Sequence, residues 1–200
     1  PTLQSLLRVS VDQSYNRISV DGDTSTNDTV LLLANGCSEA GVENRDDLKP
    51  FQRVLDEVTI HLAKKLVRDG EGVTKLVDIL VRGARSTREA RAVADTVAHS
   101  NLVKTALFAS DPNWGRILAA VGRVGVSGLA IDRVRIWLGD LCIVSGGGRD
   151  PGYTEQAGQA VMAAEEIEIR IDLDRGRSSV QVLSCDLSFD YVKINAEYRS

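Results

Sequence analysis

Apolar residues recur at helical spacing in two separate stretches before residue 70. The first stripe, which predicts a short helix, consists of Leu3, Leu6, Leu7 and Val11. The second predicts a long amphipathic helix that Asp46 or Asp47 can cap, and its apolar face consists of Phe51, Val54, Leu55, Val58, Leu62 and Leu66. Between the stripes, an apolar run at residues 29–34 is closed by an Asn-Gly pair. It predicts a buried strand that ends in a turn.

The pattern changes to alternation over residues 73–81, where β-branched residues face one side and leucines the other. Apolar side chains on both faces predict a central strand. Residues 86–89 read STRE, the spacing of a capping box, and predict the start of a helix. Residues 102–108 predict another strand, and residues 113–121 predict a helix that begins behind Asp111 and Pro112.

The last third of the chain alternates in the same way. Residues 134–144 predict a pair of strands around Gly139, and residues 154–164 an Ala-rich helix. Residues 166–173 and 178–183 predict a hairpin, and residues 191–195 predict a final strand that runs to Ser200. This mixed order predicts an α/β (α+β) layered sandwich over residues 1–200. A Gly-containing stretch at 122–128 marks the one candidate boundary, for a small C-terminal α/β subdomain from about 126 to 200.

Composition narrows the range of functions. The chain has 200 residues, of which 26% are charged, and a net charge of −4, so the basic footprint of a nucleic-acid-binding protein is missing. No apolar run has the length of a membrane span, and no basic leader precedes one, so we expect a cytoplasmic, soluble protein. Cys37, Cys142 and Cys185 are few and far apart. We interpret them as buried free thiols rather than disulfide or zinc ligands.

Candidate chemistry is sparse. His61 and His99 are the only histidines, and both are interpreted as surface or capping residues, which disfavours a Ser-His-Asp mechanism within this chain. Residues 21–28 superficially resemble a calcium loop, but Thr26 stands where the turn needs glycine. Glu71 lies between two glycines, where backbone can approach a ligand closely, although a plain helix-ending turn is the simpler interpretation. Asn195 lies in a polar C-terminal segment.

Five segments, taken together and in this order, carry a resemblance. They are NRISVDGDTSTNDT at 16–29, DGEGVTK at 69–75, LVKTA at 102–106, DPNWGRI at 111–117 and NAEYRS at 195–200. The sequence resembles the ornithine acetyltransferase family of arginine biosynthesis over nearly its whole length, and specifically the C-terminal β chain of that family. The resemblance implies an α/β layered sandwich of the ornithine acetyltransferase/DmpA-like type.

The resemblance also implies an activity. Family members are precursors that cut themselves before a threonine, which then becomes the nucleophile and uses its own α-amine as the base. The acetyl group moves from N-acetylornithine to glutamate through an acetyl-enzyme, with the oxyanion hole on the α chain and no cofactor. The implied assembly is an α2β2 heterotetramer of α and β chains. The sequence leaves open whether acetyl-CoA also serves as donor.

Site residues follow from the same resemblance. Glu71 is expected to bind the amine end of the substrate, and Asn195 and Ser200 its amino-acid portion. Residues 21–28 and 113–116 are expected to shape the site, and no metal is implied. The catalytic threonine is expected just upstream of Pro1, since Thr2 stands in the wrong context.

Two other functions are compatible with the sequence. A self-processing amidohydrolase or aminopeptidase of related fold would use the same type of nucleophile with water as the acceptor. A degenerate partner subunit would bind small amino acids without turnover.

Overall fold

The computed structural model describes residues 2–38, 41 and 46–198, and these residues form helices around one six-stranded sheet. The helices are α1 (Thr2–Gln13), α2 (Leu48–Arg68), α3 (Thr87–Ala98), α4 (Asn101–Phe108), α5 (Trp114–Gly122), α6 (Glu155–Met162) and α7 (Phe189–Glu197). The strands are β1 (Leu76–Ala84), β2 (Arg135–Leu138), β3 (Leu141–Ser145), β4 (Gly148–Arg149), β5 (Glu166–Asp172) and β6 (Ser178–Cys185). Their order across the sheet is β4-β3-β2-β5-β1-β6.

Strand β1 lies in the interior of the sheet, as its two apolar faces predict. It pairs in parallel with β5, where Ile79 faces Ile169, and antiparallel with β6, where Ile79 faces Val182. Its side chains alternate between the two faces of the sheet. Those of Val77, Ile79 and Val81 point into the main core, and each is at most 1% exposed. Leu76 points to the opposite face.

The core has two parts, one on each face of the sheet. The larger part joins buried residues of β1, β2, β3, β5 and β6 with those of α3, α4, α5 and α6. On the other face, Val67 of α2 packs with Leu76, Leu183 and Cys185, and α1 packs on α2. Helices therefore lie on both faces of one open sheet, which confirms the predicted mixed α/β layered sandwich.

Several local predictions are confirmed with their causes. The Ser86 hydroxyl accepts a hydrogen bond from the Glu89 backbone N–H and caps α3, as the capping box requires. Helix α1 and the antiparallel pair β2–β3 also form where the pattern predicts them. Helix α2 forms as well, but the side chain of its N-cap residue, Asp47, makes no capping hydrogen bond.

The strands predicted at residues 102–108 and 191–195 are wrong, because both segments are helical. They lie in α4 and α7. In α4, Val103, Ala106 and Leu107 are buried at helical spacing. In α7, Ser188 caps the first turn by accepting from the backbone N–H of Tyr191. A short apolar run fits either period, so the capping and packing residues around it decide the outcome.

The hairpin predicted from residues 166–183 is also wrong, although both of its strands exist. Strands β5 and β6 do not pair with each other, because β1 lies between them. The connection crosses the end of β1, where the Gly83 carbonyl accepts hydrogen bonds from the backbone N–H groups of Arg175 and Gly176. One sheet thus draws strands from both sides of residue 126, and the C-terminal subdomain stays a prediction.

Residues 29–34 form no strand, which corrects the buried strand predicted there. Leu31 is 74% exposed and Leu33 is 87% exposed. Among the described residues no strand pairs with this segment, so its apolar side chains have no sheet to enter. The thiols also differ from expectation: Cys185 is buried, Cys142 is half-buried and Cys37 is exposed.

Candidate active site

Glu71 lies in the tight turn between α2 and β1, with a glycine on each side. Gly72 has a φ of +65°, which favours glycine. A Cβ atom at Gly72 would meet the backbone N of Tyr191 at 2.5 Å and the Ser188 hydroxyl at 2.6 Å. The turn therefore needs glycine for two reasons, its backbone conformation and its close approach to the start of α7.

Asn195 of α7 reaches this turn. Its Nδ2 donates to Glu71 Oε2 over 2.6 Å and to the Tyr191 carbonyl over 3.0 Å. Glu71 and Asn195, predicted as site residues 124 positions apart, are thus in direct contact. Both side chains are exposed, so a ligand can reach them from solvent. The third predicted residue, Ser200, lies outside the described residues.

Tyr191 extends this cluster toward the loop at residues 21–28. Its hydroxyl donates to Asp21 Oδ2 over 2.9 Å. The pKa of Tyr191 is raised to about 12, chiefly by burial and secondly by the hydrogen bond to Asp21. The phenol therefore keeps its proton near neutral pH. The charges of Asp23 and Glu71 act on its pKa in the same direction. Several carboxylates therefore lie around one phenol, and together they favour a cationic ligand.

Sequence reasoning missed Tyr191, because it assigned residues 191–195 to a strand. The signal that could have found it is the Ser188 cap, three residues before Tyr191. A serine in that place predicts a helix, and helical spacing puts Tyr191 and Asn195 on one face, four residues apart.

A buried carboxylate anchors the strand side of the Glu71 turn. Asp186 is 4% exposed, and its Oδ1 accepts from the backbone N–H groups of Thr74 and Lys75, each at 2.9 Å. Its Oδ2 accepts from the Thr74 hydroxyl at 2.6 Å. The Lys75 ammonium is buried as well and donates to the carbonyls of Met162 and Ala164. These contacts hold the start of β1 in place, and with it the turn that carries Glu71.

The loop at residues 21–28 bonds mainly to itself. Asp21 Oδ1 accepts from the backbone N–H of Asp23, and the Ser25 hydroxyl accepts from those of Asn27 and Asp28. All of these residues are exposed. The arrangement is that of Asx and Ser turns, and Asp21 alone reaches α7.

His99 lies on the other side of this loop. Its Nε2 is 2.8 Å from the Ser19 hydroxyl, and a Cβ on Gly22 would lie 3.4 Å from the imidazole ring. A serine–histidine pair can act as nucleophile and base. In the described part of the chain, however, no carboxylate is bonded to the other ring nitrogen, so the third member of a triad is missing. We interpret His99 as a support for the loop.

The segment at residues 111–117 supports its surroundings in a similar way. The Asn113 side chain caps α5 by accepting from the Arg116 backbone N–H. Arg116 in turn donates from Nη1 to the Leu102 carbonyl over 2.9 Å. Within residues 2–38, 41 and 46–198, no three His, Cys, Asp or Glu side chains come together as a metal site. Nor does any helix in those ranges have the length and apolarity to cross a membrane.

Comparisons with known proteins agree along the whole chain. A family model described as the ArgJ family matches residues 1–200. A relative from Methylococcus capsulatus, named arginine biosynthesis bifunctional protein ArgJ, is 55% identical over 200 residues. One of the same name from Psychrobacter arcticus is 51% identical over 201 residues. Each match covers 99% of this chain but 49% of the relative, so the chain spans about half the length of these relatives.

A solved structure is similar throughout. It is the crystal structure of arginine biosynthesis bifunctional protein ArgJ from Bacillus halodurans, with a TM-score of 0.91 and 37% sequence identity. The match covers 98% of this chain and 92% of that one. The fold described above is therefore the fold of that relative's chain.

Proposed function

Since the chain belongs to the ArgJ family, we propose that it is the C-terminal β chain of a glutamate N-acetyltransferase. The reaction moves an acetyl group from N-acetylornithine to glutamate and needs no cofactor. The observation that carries the proposal is the contact between Glu71 and Asn195. The resemblance alone assigns both residues to the substrate, and the fold brings them within one hydrogen bond of each other.

The proposed roles follow from charge and hydrogen-bonding capacity. The Glu71 carboxylate binds the free ammonium of the substrate, in the field that Asp21 and Asp23 reinforce. Asn195 donates its two N–H groups to Glu71 and to the Tyr191 carbonyl, which leaves its own carbonyl oxygen to accept from the amino-acid portion. Ser200 joins Asn195 in that role in our proposal. Tyr191 is a positioning residue, because it ties α7 to Asp21.

The reaction proceeds by double displacement. The hydroxyl of a threonine upstream of Pro1 attacks the acetyl carbonyl, and its α-amine takes the proton. The C–N bond of N-acetylornithine breaks, ornithine leaves with a proton on its amine, and the acetyl group remains as an ester on threonine. The amine of glutamate then attacks the ester, which releases N-acetylglutamate and restores the hydroxyl. Acetyl-CoA as a second donor remains a separate prediction.

The exposed apolar surface of α2 supports the proposal of a partner chain. Most of the apolar face of α2 is exposed to solvent. We name its exposed residues the α2 stripe. They are Phe51, Val54, Val58, Leu62 and Leu66, each 43–53% exposed. A groove of about 630 Å³ lies at the C-terminal end of the stripe and is lined by Leu62 and Leu66 among others. A continuous apolar face of this kind marks an interface.

We propose that the α chain of the same precursor covers the α2 stripe. The curated relatives are about twice as long as this chain, so a second half of similar size is available to cover it. The α chain also supplies the oxyanion hole in our proposal, which makes the site complete only in the assembly. The α2β2 stoichiometry and a cytoplasmic location remain predictions.

An acceptor assay on the co-expressed α and β chains tests the function. With N-acetylornithine as donor, ornithine release and N-acetylglutamate formation should rise together as glutamate is added. Release of free acetate at the same rate with and without glutamate would instead establish the amidohydrolase alternative. Binding of N-acetylornithine without release of ornithine would establish a degenerate binding subunit.

A further inference from the structure

A second groove lies outside the Glu71 cluster, between helix α5 and the junction of α3 with α4. Its volume is about 480 Å³, within the range of roughly 300–1,000 Å³ for small-molecule sites. The residues that line it are His99, Ser100, Asn101, Leu102, Asn113, Gly115, Arg116, Ala119, Ala120 and Arg123. The proposed acetyl transfer uses none of them as a ligand.

The floor of this groove is made by small residues between two arginines. Arg116 lies on α5 and Arg123 is the C-cap residue directly after it. The two are seven residues apart and therefore face the same side, with Cα atoms about 10 Å apart along the helix axis. Ala119 and Ala120 lie between them and present only methyl groups. One guanidinium group thus lies at each end of the cleft. No side chain larger than a methyl group fills the space between them.

The charge of the groove is the opposite of the charge of the chain. Among the described residues that line it there is no carboxylate, whereas the whole chain has a net charge of −4. Arg116 and Arg123 therefore act on a ligand without a local negative charge to offset them. Such a site selects anions.

Both guanidinium groups are oriented by backbone. Arg116 Nη1 donates to the Leu102 carbonyl at 2.9 Å and lies 3.3 Å from the Thr105 hydroxyl. Arg123 Nη2 donates to the Thr96 carbonyl at 3.4 Å. A guanidinium has five N–H donors in a planar fork, so these contacts orient Arg116 in particular and leave other N–H donors of both arginines to bind a ligand.

Helix α4 begins at the same groove. Its N-cap residue, Ser100, makes no side-chain hydrogen bond to the first turn, unlike Ser86 and Asn113 at the starts of α3 and α5. The partial positive charge of a helix N-terminus adds to the field of the arginines. Asn101, in this first turn, also lines the groove and offers an amide.

From these observations we propose that this groove binds a phosphorylated small molecule, with the phosphates between Arg116 and Arg123. Phosphate matches the planar donor fork of arginine and accepts several charge-assisted hydrogen bonds at once. Two arginine side chains about 10 Å apart at Cα can converge on a diphosphate. The groove adjoins the candidate active site, because His99 lines it and also contacts Ser19 in the segment before Asp21.

Calorimetric titration of the assembled α and β chains tests the proposal, with pyrophosphate and ADP as probes. We expect saturable binding with one site per β chain. Arg123→Gln removes one guanidinium group. Ala119→Leu fills the floor of the groove and leaves its charge unchanged. Position 119 is exposed on the helix, so the larger side chain can be accommodated. Each variant should weaken pyrophosphate binding by about tenfold or more. Arg88→Gln, at an exposed arginine on α3, is the matched control and should bind as the unchanged protein does.

The outcomes separate the possible ligands. Tighter binding of ADP than of pyrophosphate would support a nucleotide ligand, and equal binding would support recognition of the phosphates alone. An absence of saturable binding, or binding that both groove variants leave unchanged, would overturn the proposal. Because acetyl transfer to glutamate does not involve Arg123 or Ala119, both variants should retain it. A failed transfer assay with intact pyrophosphate binding would therefore count against the proposed function alone.

Discussion

At the scale of single residues, the candidate site is built on one short contact between two exposed side chains. Glu71 and Asn195 come from the turn before β1 and from α7, and the hydrogen bond between them is 2.6 Å long. The segments that carry both residues could be found in the sequence, and their roles followed from the resemblance. Their contact could not be predicted, because it depends on an α7 that the sequence pattern assigned to a strand.

The first prediction concerns the negative charge of Glu71. Glu71→Gln keeps the size of the side chain and one acceptor oxygen but removes the negative charge, so it weakens the binding of the substrate ammonium. We expect the KM for N-acetylornithine to rise about tenfold or more, because a hydrogen bond to a charged group contributes about 1.5–3 kcal/mol. Steady-state kinetics measure this effect. Glu197→Gln, at an exposed glutamate of α7, should leave KM unchanged, and an equal rise in both variants would contradict the assignment.

The second prediction concerns Gly72, the glycine that follows Glu71. Gly72→Ala places a Cβ 2.5 Å from the backbone N of Tyr191 and should push α7 away from the turn. Gly36 has a similar φ, +72°, but nothing lies within 4 Å of its added Cβ. Both substitutions carry the same conformational cost, about 1–2 kcal/mol. Only Gly72→Ala should also lower kcat/KM for N-acetylornithine. Loss of activity in Gly36→Ala to the same degree would mean that backbone conformation alone explains the effect.

At the scale of elements, helix α7 is weakly anchored. None of its described residues is buried, so packing contributes little and its position depends on specific contacts. These are the Ser188 cap, the Tyr191–Asp21 and Asn195–Glu71 hydrogen bonds, and an edge-to-face contact of Phe189 with Phe108. A helix held in this way is sensitive to the loss of any one of them.

Removal of the cap tests this account of α7. Ser188→Ala deletes the acceptor for the Tyr191 N–H and should destabilise α7 by about 1 kcal/mol. Hydrogen exchange of the α7 amides should become faster, and the KM for N-acetylornithine should rise because Asn195 moves away from Glu71. Thr154→Ala removes the equivalent cap of α6, which carries no site residue, and is the control. If both variants shift KM alike, α7 has no special role.

Elements also mark the limit of what the sequence could predict. Helices with a capping residue and a clear stripe, such as α3 and α5, could be found from their residues. The apolar run at 102–108 could not be assigned, because Val103 and Leu107 fit a strand as well as a helix. The failed hairpin has a topological cause, since β1 lies between β5 and β6 although it precedes both by more than 80 residues in the chain. No local pattern records such an insertion.

At the scale of the whole molecule, the exposed apolar surface is the feature on which the proposed assembly with an α chain rests. The apolar face of α2 was predicted from its spacing, and the α2 stripe on that face is exposed. Residues 29–34 were expected to form a buried strand, whereas Leu31 and Leu33 are exposed. A sequence pattern indicates that an apolar face is suited to burial, but it does not indicate which chain covers that face.

The α2 stripe yields the prediction at this scale. Leu62→Glu puts a charge in the middle of the stripe, and burying it against the α chain would be costly. We expect the co-expressed chains to separate in native mass spectrometry and acetyl transfer to be lost. Arg53→Glu places a glutamate at an exposed position of α2, about half a turn round the helix from Leu62, and should leave the complex intact. Dissociation by Arg53→Glu, or an intact complex with Leu62→Glu, would place the α chain elsewhere.

Acetyl transfer through an acetyl-enzyme is the step on which the proposed function depends. Intact-mass spectrometry of the assembled protein, after incubation with N-acetylornithine and no acceptor, detects that intermediate. We expect a polypeptide that contains this sequence, begins with a threonine upstream of Pro1 and gains one acetyl group, which is lost when glutamate is added. A polypeptide that stays unacetylated under these conditions, while ornithine is still released, would contradict the proposed acetyl-enzyme.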